Sequence, residues 1–85
     1  MEQITSKDNK KIKHVLQLYK RKYRQTHREY VAEGYRTVLD MIPTGHVRYV
    51  LAKGTNGVEE GLQELCEMYH VDLYIVDDSL WKGID

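Results

Sequence analysis

The run of residues 71–76 constrains the fold of this 85-residue chain more than any other segment. It is nearly all apolar, and this predicts a strand at the centre of a sheet. Two further short strands are predicted at residues 30–32, where Gly34 follows in a tight turn, and at residues 47–51. Strands that alternate with helical segments indicate an α/β layered domain with a mostly parallel sheet.

Helical periodicity accounts for most of the remaining chain. Five apolar residues near the N-terminus recur at helical spacing: Ile12, Val15, Leu16, Tyr19 and Tyr23. They predict one helix over residues 7–22, with its start among residues 6–9, followed by a polar loop over residues 24–28. Further helices are predicted over residues 35–42, from residue 58 onward, and around residues 80–81.

Length, cysteine content and hydropathy exclude several classes of protein. Eighty-five residues allow one modest core. The single cysteine, Cys66, excludes an internal disulfide framework and a cysteine-based zinc site. No apolar run approaches the ~20 residues of a membrane span, and no secretory signal is visible. We therefore expect a cytoplasmic protein without a membrane partner.

The net charge of zero conceals two halves of opposite charge. Residues 1–36 hold ten Lys and Arg against four Asp and Glu, a net charge of +6. Residues 37–85 hold three Lys and Arg against nine Asp and Glu, a net charge of −6. Such asymmetry points to a polyanionic partner of the basic half.

The positive charge concentrates on the predicted first helix. No Asp or Glu occurs between Asn9 and Arg28, whereas a solvated helix usually intersperses acids to form i, i+4 pairs. The cations that fall opposite the apolar side, or flank that row, are Lys10, Lys13, His14, Lys20, Arg21 and Arg24. At 1.5 Å per residue they form a row about 20 Å long, which can meet several phosphates of a nucleic acid.

Specific motifs in the same region resemble a known family. They are Ile4-Thr5-Ser6, Asn9, Ile12-Lys13, Arg24 and Tyr30-Val31-Ala32-Glu33-Gly34. This pattern resembles the N-terminal substrate-binding domain of the SpoU/TrmH family of RNA 2′-O-ribose methyltransferases. The resemblance runs over residues 4–81, and its specific part is residues 4–39. Tyr30 stands where Phe is common in the family, and Lys10 where Pro is frequent.

The resemblance implies a three-layer α/β/α sandwich with a small, mostly parallel sheet, similar to kink-turn-binding ribosomal proteins. Residues 1–85 would form a single domain that presents ribosomal RNA, or transfer RNA, to a C-terminal knotted methyltransferase domain absent from this sequence. That second domain would bind S-adenosylmethionine, supply catalysis and form a homodimer. For the isolated domain we expect a monomer with no catalytic residue and no cofactor or metal of its own.

The candidate RNA-binding residues combine the basic segment with the turn at Gly34. They are Lys10, Lys13, His14, Lys20, Arg21, Arg24, Arg28, Glu33 and Arg36. Arg24 and Arg28 are the strongest candidates for direct contact, because a guanidinium grips phosphate bidentately and stacks on unpaired bases. Glu33 has two compatible interpretations. It orients Arg24 or Arg36 toward phosphate or accepts from a base, or it forms an ion pair with Arg24 that fixes the first helix to the sheet.

Two other functions remain open on the sequence. One is a stand-alone kink-turn RNA-binding protein of the ribosomal-protein type. The other is a protein-interaction module that docks a basic partner on acidic residues of the second half: Glu59, Glu60, Glu64 and Glu67. The second alternative predicts that the protein is indifferent to RNA.

Overall fold

A computed structural model describes residues 2–54 and 60–84 of the chain. The elements are β1 (Glu2–Ile4), α1 (Lys10–Gln17), α2 (Arg21–His27), α3 (Tyr35–Met41), a 3-10 turn (Ile42–Thr44), β2 (Tyr49–Lys53), α4 (Glu60–Met68), β3 (Asp72–Val76) and α5 (Asp78–Ile84). The three strands are parallel, in the order β1–β3–β2. The predicted small α/β fold and the central position of the 71–76 strand are therefore confirmed.

Apolar side chains cover the sheet on both faces. Because successive side chains of a strand point to opposite faces, neighbouring residues of β2 and β3 enter different clusters. One cluster packs α3, α4 and the 3-10 turn against the sheet, with Ile42, Val50, Leu62, Cys66 and Leu73 at its centre. The opposite cluster packs α1 and α5, with Ile4, Ile12 and Val76 buried. This arrangement gives the three layers.

The start of α1 is fixed by a side-chain cap. Asn9 Oδ1 accepts a hydrogen bond from the amide of Lys11 at 2.8 Å, which satisfies one of the free N–H groups of the first turn. The hydroxyl of Tyr49 on β2 donates to the carbonyl of Lys11 at 2.9 Å, and burial raises the pKa of this hydroxyl. Lys11 Nζ lies 4.9 Å from the ring centre of Tyr74. Lys11 thus packs against the sheet.

The predicted single helix over residues 7–22 is wrong, because the chain breaks between α1 and α2. Leu18 is buried, and Lys20 is extended at φ −99° and ψ 131° before α2 begins. The guanidinium of Arg24 donates to the carbonyl of Leu18 at 3.0 Å and so satisfies a group that the broken helix leaves open. The predicted loop over residues 24–28 is consequently wrong as well: it is mostly helical.

The predicted strand at residues 30–32 does not form. The residues lie between α2 and α3 without pairing to the sheet. Contacts at both ends direct the segment to α1 and the turn after it: Glu29 contacts His14, and Glu33 accepts a hydrogen bond from Tyr19. β-propensity depends on a partner strand, and here those contacts prevail.

Other boundaries differ by small amounts. β2 begins two residues later than predicted, and β1 was not predicted because only Ile4 of its three residues is buried. The predicted start of the third helix, residue 58, lies outside the described residues. Within residues 2–54 and 60–84, no helix is long and apolar enough to cross a membrane.

Candidate nucleic-acid interface

Three arginines lie on one side of α2. Arg21, Arg24 and Arg28 follow the i, i+3, i+7 spacing of a helical face, and Arg28 caps the helix in the left-handed conformation at φ 55°. We call these three residues the arginine face. Among the described residues none of the three forms an ion pair. Their charge is therefore available to an anionic ligand.

A shallow depression of about 390 Å³ lies on this side of α2. Its lining consists of the arginine face, Gln25, Glu29 and Tyr30. Arg24 is half-buried, and its bond to the Leu18 carbonyl fixes the guanidinium while using one of five N–H donors. The depression thus combines a fixed guanidinium with two exposed ones.

The one acidic side chain of the depression is bound to residues outside it. Glu29 Oε1 lies 2.7 Å from His14 Nε2, and Oε2 accepts from the Arg48 guanidinium at 2.9 Å. The hydrogen bond from Arg48 lowers the pKa of Glu29; burial opposes this effect, and His14 adds to it. The carboxylate therefore stays ionised at neutral pH and joins α1 to the segment before β2.

We predict that Glu29→Gln abolishes a pH-dependent part of the stability. Since the pKa of Glu29 is lowered in the folded state, its contribution is full above pH ~4.5 and is lost as pH falls through the folded pKa. The difference in unfolding free energy between wild type and Glu29→Gln should therefore shrink as the solution is acidified. Urea unfolding between about pH 3 and pH 7 measures it. Glu64→Gln, which changes an exposed side chain of α4, is the control. A difference independent of pH would contradict the prediction.

His14 does not occupy the position predicted for it. The helical wheel placed it on the outer side of a continuous helix, but it is half-buried against Glu29, and its ring centre lies 5.0 Å from that of His27. The break after α1 changes the course of the chain, so the predicted row of cations is divided. α1 carries Lys10 and Lys13, and α2 carries the arginines.

Glu33 forms no ion pair with Arg24 in the described part of the chain, so that predicted contact is wrong. Glu33 accepts a hydrogen bond from the Tyr19 hydroxyl, while the guanidinium of Arg24 is directed to Leu18. The turn after Glu33 is as predicted. Gly34 has φ +100°, a conformation that L side chains rarely adopt, and it leads directly into α3.

A larger groove of about 1,050 Å³ runs between the 28–35 segment and β2. Its lining is mostly apolar, with Val15, Val31 and Val50 among its residues, and it includes His14, Arg28 and Glu33. Among the described residues β2 pairs only with β3, and all five residues of β2 line the groove. It separates the segment from the strand with which the sequence predicted it to share a sheet.

The remaining predicted residues are exposed but lie outside both concave surfaces. They are Lys10, Lys13, Lys20 and Arg36. Lys13 Nζ lies 3.9 Å from Asp8, a contact between exposed groups that contributes little to stability. These cations can add to the long-range field around α1 and α2, but they do not form a pocket.

Sequence reasoning missed Glu29, Arg48 and Tyr30. Glu29 is the first acidic residue after the acid-free stretch, and this position in the sequence indicates that its carboxylate lies near cationic side chains. Arg48 had no comparable signal, because its contact joins residues nineteen positions apart. Tyr30 lies in the predicted strand over residues 30–32, and in the structure it is 66% exposed beside the arginine face. No group of His, Cys, Asp or Glu among the described residues could hold a metal ion.

The model of the MRM3-like substrate binding domain matches residues 9–84. The chain belongs to this family. No curated protein and no solved structure was found to match it. Membership of the MRM3-like family confirms the predicted resemblance to the N-terminal substrate-binding domain of a SpoU/TrmH-type methyltransferase. It indicates a domain that binds the substrate of an RNA methyltransferase, so RNA is the implied partner.

Proposed function

We propose that this domain holds ribosomal RNA for an S-adenosylmethionine-dependent 2′-O-ribose methyltransferase of the TrmH/SpoU type. The observation that carries the proposal is the concentration of positive charge on α1 and α2, where Lys13 alone among the lysines and arginines lies near a carboxylate in the described residues. Ten of the thirteen Lys and Arg lie in residues 1–36, and the arginine face has no acidic partner among the described residues. Such a surface binds a phosphate backbone by displacing its counterions.

The chemistry is assigned to a separate catalytic domain. S-adenosylmethionine supplies the methyl group there, and homodimer formation belongs to the same domain; no residue of the present chain is proposed to bind the cofactor. The contribution of this domain is to bind and orient RNA, and by itself it transfers no methyl group. We propose that the domain binds RNA in the cytoplasm and that its substrate is ribosomal RNA rather than transfer RNA.

The test is the salt dependence of RNA binding. If about six phosphates are neutralised, the logarithm of the association constant should fall with the logarithm of salt concentration at a slope of about −4 to −5. Fluorescence anisotropy with labelled ribosomal RNA fragments measures this slope. Absence of binding at low salt would contradict the proposal and favour a protein partner for the acidic α4, where Glu64 and Glu67 are exposed.

A further inference from the structure

We infer that the depression at the arginine face binds a single unpaired nucleotide, with its base stacked on Tyr30 and its phosphate held by arginine. This inference rests on the proposed RNA-binding function and specifies the form of RNA that is recognised. Arg21, Arg24 and Arg28 supply the positive charge, and Tyr30 supplies an aromatic ring in the same depression. Proteins that bind single strands combine these two elements.

The side chain of Tyr30 is mostly open to solvent. It is 66% exposed and lines both the depression and the apolar groove, along which Val31 and Ala32 are half-buried. Arg28 ends α2 two residues earlier, and Glu29 fixes the intervening position through His14 and Arg48. The backbone at Tyr30 is therefore held on one side by two polar contacts.

The charge in the depression favours an anion. Both oxygens of Glu29 are engaged by His14 and Arg48, so this carboxylate does not neutralise the arginine face. Arg24 is held by the carbonyl of Leu18, which reduces the conformational entropy lost when its guanidinium binds a phosphate. The planar guanidinium suits phosphate, because it can donate two parallel hydrogen bonds.

The single exposed ring in the depression favours an unpaired nucleotide over a duplex. A volume of about 390 Å³ lies near the lower end of the range for small-molecule sites. One exposed ring can stack on one base, but the bases inside a duplex already stack on each other and present only their edges. Loops, bulges and ends expose the faces of bases, and sequence-specific RNA recognition mostly targets them.

The experiment compares two RNA probes and two substitutions of Tyr30. The probes are a labelled hairpin with a randomised single-stranded loop and a blunt duplex with the same stem sequence, both at low ionic strength. Tyr30→Ala should weaken hairpin binding by about five-fold to a hundred-fold, the range measured when stacking residues are replaced by alanine. Tyr30→Phe should bind the hairpin with an affinity within about two-fold of wild type, because the aromatic ring is retained.

The controls separate stacking from folding and from general electrostatics. Tyr69→Ala removes another exposed ring, one that does not line the depression, and should leave hairpin binding unchanged. Duplex binding should be the same for wild type and Tyr30→Ala. Thermal unfolding should give nearly equal midpoints, because Tyr30 is mostly exposed.

The outcomes distinguish this inference from the proposed function. The nucleotide site is overturned if wild type binds RNA and Tyr30→Ala binds it equally well. It is also overturned if Tyr30→Ala weakens hairpin and duplex binding equally. In both cases the proposed RNA-binding function stands. If Tyr30→Phe binds the hairpin as weakly as Tyr30→Ala does, base stacking on this ring is also overturned. If the wild-type protein binds neither probe, both the nucleotide site and the proposed function are overturned.

Discussion

A variant with Lys20, Arg21 and Arg28 changed to glutamate is expected to lose about 100-fold in RNA affinity at ~0.1 M salt. Each phosphate contact of a single strand contributes about 0.7 to the salt slope, so three contacts contribute about two orders of magnitude at that concentration. The slope itself should become shallower by about 2. Anisotropy titrations over a range of salt concentrations measure both quantities.

The same variant should remain folded. All three side chains are exposed, and the thermal midpoint should stay within about 5 °C of wild type. Arg24 is left in place because its bond to the Leu18 carbonyl supports the break between α1 and α2, so its loss would combine unfolding with lost binding. Lys53→Glu, at the end of β2, is the charge-matched control for Arg21→Glu alone. Equal losses in these two single variants would mean that net charge, not this surface, governs RNA binding.

Ile42→Ala is expected to cost the largest amount of stability, about 2–5 kcal/mol. Ile42 is fully buried and packs with Val50, Leu62 and Leu73, so truncation leaves a cavity where the 3-10 turn meets the sheet. A domain of this length has a total unfolding free energy of roughly 4–13 kcal/mol. With a urea m-value of about 1 kcal/mol/M, the midpoint should fall by about 2 M or more.

Met68→Ala on α4 is the matched control for this substitution. Its side chain is 68% exposed, and its loss should cost less than about 0.5 kcal/mol. Urea unfolding followed by far-ultraviolet circular dichroism compares the two variants. A loss of less than about 0.5 kcal/mol for Ile42→Ala would contradict the described packing of the α3 and α4 layer.

Local signals in the sequence were sufficient for several elements. The apolar run at residues 71–76 predicted β3 at the centre of the sheet, because a strand covered on both faces has no polar side. Residues 6–9 were predicted to contain the start of the first helix, and one of them, Asn9, caps α1. Gly34 predicted the turn before α3, where φ is +100°. Each of these features depends on residues that are close together in the sequence.

The errors involve packing and hydrogen bonds that hydrophobic periodicity does not show. Apolar residues keep helical spacing from Ile12 to Tyr23, so periodicity alone cannot detect the break after Leu18. Burial of the Leu18 side chain and the hydrogen bond from Arg24 to its carbonyl stabilise that break. The strand at residues 30–32 failed for the same reason, since contacts of Glu29 and Glu33 with His14 and Tyr19 direct that segment away from β2.

For the candidate site, the composition of the sequence predicted the type of residue, but not the positions of individual side chains. An acid-free basic stretch predicted which residue types would face RNA, and Arg21, Arg24 and Arg28 do line one depression. The sequence could not predict that His14 turns inward or that Tyr30 lies exposed beside the arginines. Both positions depend on the residue at which α1 ends and on the contacts of Glu29 with His14 and Arg48.

A nuclear magnetic resonance titration of ¹⁵N-labelled protein with ribosomal RNA fragments at low ionic strength tests the central claim most directly. RNA binding by the basic segment predicts that the shifted amides concentrate in α1, α2 and residues 28–30, while the amides of α4 keep their positions. Amides of α1 and α2 that stay unshifted at saturating RNA, or shifts centred on α4, would contradict it.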